Sequence, residues 1–315
     1  MIVQRDTQNP LRLNQRPLVG VKLVEESDHL RQNLFSNRLQ LRLFVKEVSR
    51  VLNDDRHVKR STRDRVLSVV EREGFEPNRV AKGLASGRTG MIGIVVSVDL
   101  AHLFSDPYFP TLLRAVYASA REHGLVMSLW LLEDEDDQRT INQIARGSTL
   151  DGAVVAAGHV DDPIVSALAR SNKPFVSLGR PVDEHSMSSV DVDNRDAARA
   201  ATAHLLHLGR RRVATIAGPP YSVAAIDRKL GYLDALRNAG ITPDADLIEH
   251  SDFSASTAKI ALRRLMEHRP DAIFVANDVM AIAVMAELAS IGVRVPEDFA
   301  VIGFDDLPAA STTSP

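Results

Sequence analysis

From residue 91 onward, short runs of β-branched and other apolar residues alternate with stretches whose apolar positions recur every three to four residues. A strand buried on both faces needs an unbroken apolar run, whereas the helix that crosses over it needs only one apolar face, so the alternation predicts βαβ units around parallel sheets. Strands are expected at 92–98, 126–132, 152–156, 174–178, 213–217, 272–276 and 300–303. Helices are expected at 111–123, 163–170, 194–208, 228–239, 257–268 and 279–291. Gly124, Gly209, Gly240 and Gly292 stand where helices should end, as C-terminal caps.

Before residue 91 the pattern changes. Residues 45–52 and 61–73 read as helices, the second opened by Ser61 with Asp64 three positions on, a variant of the capping box. Residues 77–84 can form a short third helix, and Ser86-Gly87-Arg88-Thr89-Gly90 reads as a linker. Residues 1–43 show neither period and are expected to be poorly ordered.

A chain of 315 residues with 44% hydrophobic and 25% charged content is long enough for two or three globular domains. It has no apolar run of about 18 residues and no basic tip followed by an apolar stretch, so neither a membrane span nor a secretory signal is expected. The absence of cysteine excludes disulfides, thiolate metal sites and cysteine nucleophiles, and it suits the cytoplasm. The net charge of −3 hides an asymmetry, because residues 1–90 hold 18 basic against 11 acidic side chains while the remainder is acidic. That split suggests a head that meets a polyanion and a body that does not.

Two segments, Val48-Ser49-Arg50-Val51-Leu52-Asn53 and Phe75-Glu76-Pro77-Asn78-Arg79-Val80-Ala81-Lys82-Gly83-Leu84, resemble the LacI/GalR family of bacterial transcription regulators. The body follows the same family pattern in order: Asp106-Pro107-Tyr108-Phe109, Leu150-Asp151-Gly152, Asp193-Asn194, Ala217-Gly218-Pro219, Asp227-Arg228, Ala276-Asn277-Asp278 and Gly303-Phe304-Asp305-Asp306. The match runs over about residues 45–313 at the right mutual spacings, which makes it far more specific than any single motif.

The resemblance implies an α/β, two-lobed periplasmic-binding-protein-like core of parallel sheets flanked by helices, preceded by a small all-α helix-turn-helix DNA-binding head. The implied domains are an atypical segment at 1–43, a partial helix-turn-helix at 44–76, a hinge helix and linker at 77–90, and an effector-binding core at 91–315. In the head, Lys46, Ser49, Arg50 and Asn53 would face operator DNA, with Arg50 able to place its planar fork on a guanine edge. In the hinge, Asn78, Arg79 and Lys82 would flank Leu84, a wedge between base pairs of the minor groove. In the core, Arg228 and Asp278 match the main effector-binding arginine and aspartate. Asp305, Asn194, Arg180, Phe253, Tyr108 and Phe109 are further candidates, the last two closing the cleft from the other lobe. Partners implied are operator DNA, a small-molecule effector of the sugar type and a second copy of the chain. No cofactor is implied.

Departures from the family pattern lie at both ends. Members carry Thr-x-x-Asp-Val-Ala-x-x-Ala-Gly-Val-Ser where this chain has Gln40-Leu41-Arg42-Leu43-Phe44-Val45-Lys46-Glu47, and Glu47 puts an acid where a threonine usually sits beside phosphate. The sequence stops at Thr312-Thr313-Ser314-Pro315, where members continue with a helix, a last crossover and a strand. If that is the whole product, an exposed apolar face, reduced stability and weak dimerisation are expected, as for a degraded gene.

Other signals are bland. His204 and His207 share a helical face without a third ligand, and Glu133 to Asp137 lacks the spacing of a calcium loop, so no metal is expected. No nucleotide-binding glycine loop, nucleophile elbow or zinc-protease motif occurs, and the chain is not expected to be an enzyme. The rival readings are a stand-alone cytoplasmic sugar-binding protein, a sugar-converting α/β enzyme, disfavoured by the lack of a motif, and a non-functional remnant.

Overall fold

The computed structural model describes residues 47–52, 55–74, 87–133, 137–156, 159–180 and 187–314. The chain divides into two units, residues 1–78 and 79–315. The expectations for residues 1–43, for Lys46 and Asn53, and for the hinge residues Asn78, Arg79, Lys82 and Leu84 lie outside the described residues.

In the first unit a helical segment at 47–52 is followed by a turn and by α1 (Arg60–Arg72). Val51 is buried, and the turn is tied by Asp55 N–H donating to the Arg50 carbonyl and by Arg63 donating to the Asp55 carbonyl. The helix starts one residue before the expected position. Its N-cap is Lys59, which has no oxygen to offer, so the capping box drawn from Ser61 and Asp64 is not formed.

The second unit holds two parallel sheets. The first has the order β2-β1-β3-β4-β5, built from β1 (Met91–Val96), β2 (Val126–Leu131), β3 (Gly152–Ala156), β4 (Phe175–Leu178) and β5 (Ser188–Val190). The second has the order β7-β6-β8-β9, built from β6 (Val213–Ala217), β7 (Ile248–His250), β8 (Ala272–Val275) and β9 (Ala300–Ile302). Every pairing within them is parallel, as the alternating pattern predicts. Two strands were not expected: β5 is three exposed polar and apolar residues at an edge, and β7 is a three-residue edge.

Around the first sheet lie α2 (Leu100–Ser105), α3 (Tyr108–Glu122), α4 (Gln138–Arg146) and α5 (Pro163–Ala169). Val95, Ala153 and Val155 face α4 and α5 through Ile141, Ile144, Ile164 and Leu168, while Ile94 and Val96 face α2 and α3 through Leu103 and Phe109. Around the second sheet lie α6 (Asn194–His207), α7 (Val223–Asn238), α8 (Ala255–Glu267) and α9 (Asp278–Ser290). Here Val213, Ala272 and Phe274 meet α6 and α7, whereas Ile216, Ile273 and Val275 meet α8 and α9. The period-two alternation thus gives the central strands apolar residues for both helical layers.

Helix α7 starts at Val223, five residues before the expected 228, which places Arg228 inside its second turn. Helix α3 likewise starts at Tyr108, where residue 111 was expected. Gly124, Gly209, Gly240 and Gly292 all have positive φ, between 68° and 88°, as helix-terminating glycines require.

Gly231 sets how closely α6 and α7 approach. A Cβ there would overlap the Arg195 carbonyl and stand 2.8 Å from the Arg199 nitrogen, both backbone atoms of α6. Gly231→Ala is therefore expected to destabilise the core by about 1–3 kcal/mol through overpacking, despite alanine's better helix propensity. Thermal unfolding measures this, and a variant that melts at or above the wild-type temperature would refute the close-approach argument.

Candidate functional site

In parallel sheets the strand C-termini and the N-termini of the following helices share one edge, and that edge is where small polar ligands bind. Here this edge of each lobe faces the other. Arg180, just after β4, donates from Nε and Nη2 to both carboxylate oxygens of Asp227 on α7, at 3.0 and 2.9 Å. Val160 N–H donates to the Tyr221 carbonyl at 2.9 Å, and the His159 and Tyr221 rings lie 4.6 Å apart.

Arg228 is the centre of the site. It is 9% exposed, and its guanidinium donates from Nε to Asn194 Oδ1 at 2.8 Å and from Nη1 to the Ala276 carbonyl, while Nη2 lies 3.0 Å from Asp305 Oδ1. Its fork stacks on Phe304, with Cζ 3.9 Å from the ring centroid. Asn194 passes the polarity on, since its Nδ2 donates to Asp191 Oδ1 at 3.0 Å. Asp191 also accepts the Arg180 N–H at 2.8 Å, so both arginines are held by one carboxylate's network.

Asp278 does something other than meet Arg228 directly. Its Oδ2 accepts the Leu307 N–H at 2.7 Å, and the Phe304 amide also favours the charged carboxylate. Between these two amides Asp305 and Asp306 have φ of 96° and 53°, a left-handed turn made by non-glycine residues. Gly303 lets this turn form, because a Cβ there would overlap Asp278 Oδ1. Asp278 thus holds the turn that presents Phe304 and Asp305 to Arg228.

Burial dominates the electrostatics. It pushes the Asp305 carboxyl above its ordinary range, with the Arg228 charge pulling the other way, and it pushes Asp278 up as well. It lowers Arg228, against the support of Asp305. The Tyr108 hydroxyl is raised by desolvation and then by the Asp305 charge, which locates it beside the pair although its ring is partly exposed.

The structure therefore brings Arg228, Asn194 and Asp305 together, with Tyr108 near enough to feel the Asp305 charge. Arg180 adjoins them through Asp191 and is occupied by Asp227. Phe253 lies beyond β7 with φ 68°, its ring against Gly218 and its carbonyl accepting from Asn277 at 3.3 Å. Phe109 points into the first lobe, 8% exposed in the core with Leu103 and Ile94, and its ring touches Tyr108 edge-on. Phe304, Asp191 and Asp227 were not singled out as site residues, although Phe304 and Asp227 sit within the quoted motifs Gly-Phe-Asp-Asp and Asp-Arg. Among the described residues no group of His, Asp or Glu is arranged to hold a metal ion, and no helix is long and apolar enough to cross a membrane.

In the first unit, Ser49 is exposed and Arg50 is half-exposed. Arg50 Nε donates to Asp55 Oδ2 at 2.7 Å, and this bond, more than any other contact, holds the Asp55 carboxyl well below the usual carboxylate range.

Two parallel-sheet lobes with a polar cleft between them define a periplasmic-binding-type core, and residues 202–315 match the periplasmic binding protein-like domain. Residues 45–78 match the family described as bacterial regulatory proteins, lacI family. The chain belongs to that family. It is 36% identical over 272 residues to the HTH-type transcriptional regulator CelR of Thermobifida fusca, covering 85% of this chain and 80% of CelR. Among solved structures, a transcriptional regulator CelR–cellobiose complex superimposes with a TM-score of 0.67 at 35% identity, over 84% of this chain and 79% of the other. The lac repressor dimer bound to operator and the anti-inducer ONPF superimposes with a TM-score of 0.73 at 27% identity, over 84% and 80%.

The direction of the Asp305 shift has a measurable sign. Its folded value lies above the ordinary 3.8, so the folded state binds more protons in that window and stability falls as pH rises through it. Relative to Asp305→Asn, whose amide does not titrate, the wild type is expected to lose ground from about pH 4 toward neutrality. Paired thermal melts across that range report the difference, and a wild type that gains on the variant would reverse the assignment.

Proposed function

We propose that the chain is a cytoplasmic, sugar-responsive transcription regulator that acts as a homodimer on operator DNA, as a repressor, and is not an enzyme. The observation that carries the ligand reading is the Arg228–Asn194–Asp305 cluster on the Phe304 ring. A buried fork beside a carboxylate offers donors and acceptors a few ångströms apart, which suits the paired hydroxyls of a sugar, and nearby aromatic faces suit its C–H surface. Arg228, Asn194, Asp305 and Tyr108 would touch the ligand, Phe253 would stack on it, Phe109 would back Tyr108, and Asp278 and Arg180 would position the others. Cellobiose, the sugar in the CelR complex, is the first to test.

On the DNA side, Ser49 and Arg50, with Lys46 and Asn53, would contact the operator, and Asn78, Arg79, Lys82 and Leu84 would engage its minor groove. The effector would alter operator affinity by favouring one closure state of the two lobes.

The test is fluorescence anisotropy with an operator duplex selected from a random pool, at several salt concentrations, with and without sugar. The wild type should bind with affinity that falls steeply with salt and changes when sugar is added. Arg228→Ala should keep DNA binding and lose the sugar response. Retained sugar affinity in that variant would remove Arg228 from the site, and a wild type that binds sugar but no DNA would leave a stand-alone sugar-binding protein.

A further inference from the structure

We infer that the cleft accepts an uncharged polyhydroxyl ligand and rejects the phosphorylated or otherwise anionic form of the same sugar. This rests on the sugar-binding reading above and narrows it.

The first support is charge matching. Among the described residues two guanidiniums reach the cleft, and each already faces a carboxylate: Arg180 is held by Asp227 through two bonds, and Arg228 by Asp305. Further carboxylates then add negative charge without a matching fork. Asp191 bonds Asn194 and the Arg180 amide, Asp278 sits under the 303–307 turn, and Asp106 and Asp191 both act on the Tyr108 hydroxyl. A phosphate entering here would meet more carboxylate than guanidinium.

The second support comes from the helix N-termini. Anions in folds of this kind are held by unpaired N–H groups at helix N-termini. In the first lobe one such group at each of three termini is taken by the chain's own carboxylate, which also sets a negative charge there: Asp99 accepts from His102 N–H at 2.7 Å, Asp137 from Thr140 at 3.0 Å and Asp162 from Ile164 at 3.0 Å. Asp106 accepts the Tyr108 N–H at 2.9 Å at the start of α3. In the second lobe Asp193 caps α6, Ser222 caps α7 and Asn277 caps α9, and Asp196 and Asp278 stand in first turns. Each terminus carries an oxygen where a phosphate would need a donor.

Hydroxyls fit this lining because each one both donates and accepts. It can donate to Asp305 or Asp191 and accept from a remaining guanidinium N–H, whereas a phosphate oxygen only accepts and confronts carboxylate lone pairs.

The experiment is isothermal titration of the full chain with two matched pairs: cellobiose and its monophosphate, and glucose and its monophosphate. The neutral member of at least one pair should bind, with its phosphorylated partner weaker by about tenfold or more, as expected from unscreened like charges a few ångströms apart. A phosphorylated sugar that binds as tightly as its neutral partner, or more tightly, overturns the charge selection and leaves the sugar sensor standing. Binding by none of the four overturns the sugar reading and this inference with it.

Discussion

A guanidinium that is nine-tenths removed from water constrains everything around it. Asn194, the Ala276 carbonyl, Asp305 and the Phe304 ring surround Arg228 and replace the water that its charge loses on burial. Those groups come from three separate segments: the start of α6, the residue after β8, and the turn after β9, which supplies two of them. The fold brings them to one point because parallel strands end on the same edge. Burial pushes Asp305 upward and the Arg228 charge pulls it back, so desolvation and pairing oppose each other at this position.

The turn that completes the site shows how such a cluster is held. Asp305 and Asp306 adopt backbone angles that side chains disfavour, and the Asp278 carboxylate fixes the amides on either side of them. Gly303 provides the room. The same logic extends along the edge, where aspartates cap one helix after another. These caps stabilise each N-terminus locally and also set the electrostatic character of the cleft, two consequences of one residue choice.

Much of this architecture was legible in the chain. The apolar runs at 213–217 and 152–156 coincide with β6, which is fully buried, and with β3, which alternates buried and half-buried positions, because a strand covered on both faces leaves an uninterrupted pattern. Strands β5 and β7 escape such reading: three residues at a sheet edge, half of whose backbone pairs with nothing, need no apolar run. Helix α4 follows an acidic stretch and shows only Ile141, Ile144 and Ala145 as its inward face, and the early turns of α7 blend into the loop before them. In the site, Arg228 was legible through its motif. The division of labour between Asp278 and Asp305 was not, because it depends on which way a three-residue turn points its amides. Phe304 was hidden for the same reason, since an aromatic after a strand ordinarily reads as core.

The central claim is that Arg228 and Asp305 together form the ligand-recognising pair. A crystal structure of the chain with a bound sugar tests it most directly. The account predicts sugar hydroxyls within hydrogen-bond distance of an Arg228 nitrogen and of the Asp305 carboxylate at once, with Asp278 still holding the Phe304 and Leu307 amides. A sugar seated elsewhere, with the Arg228–Asp305 pair untouched, would contradict it.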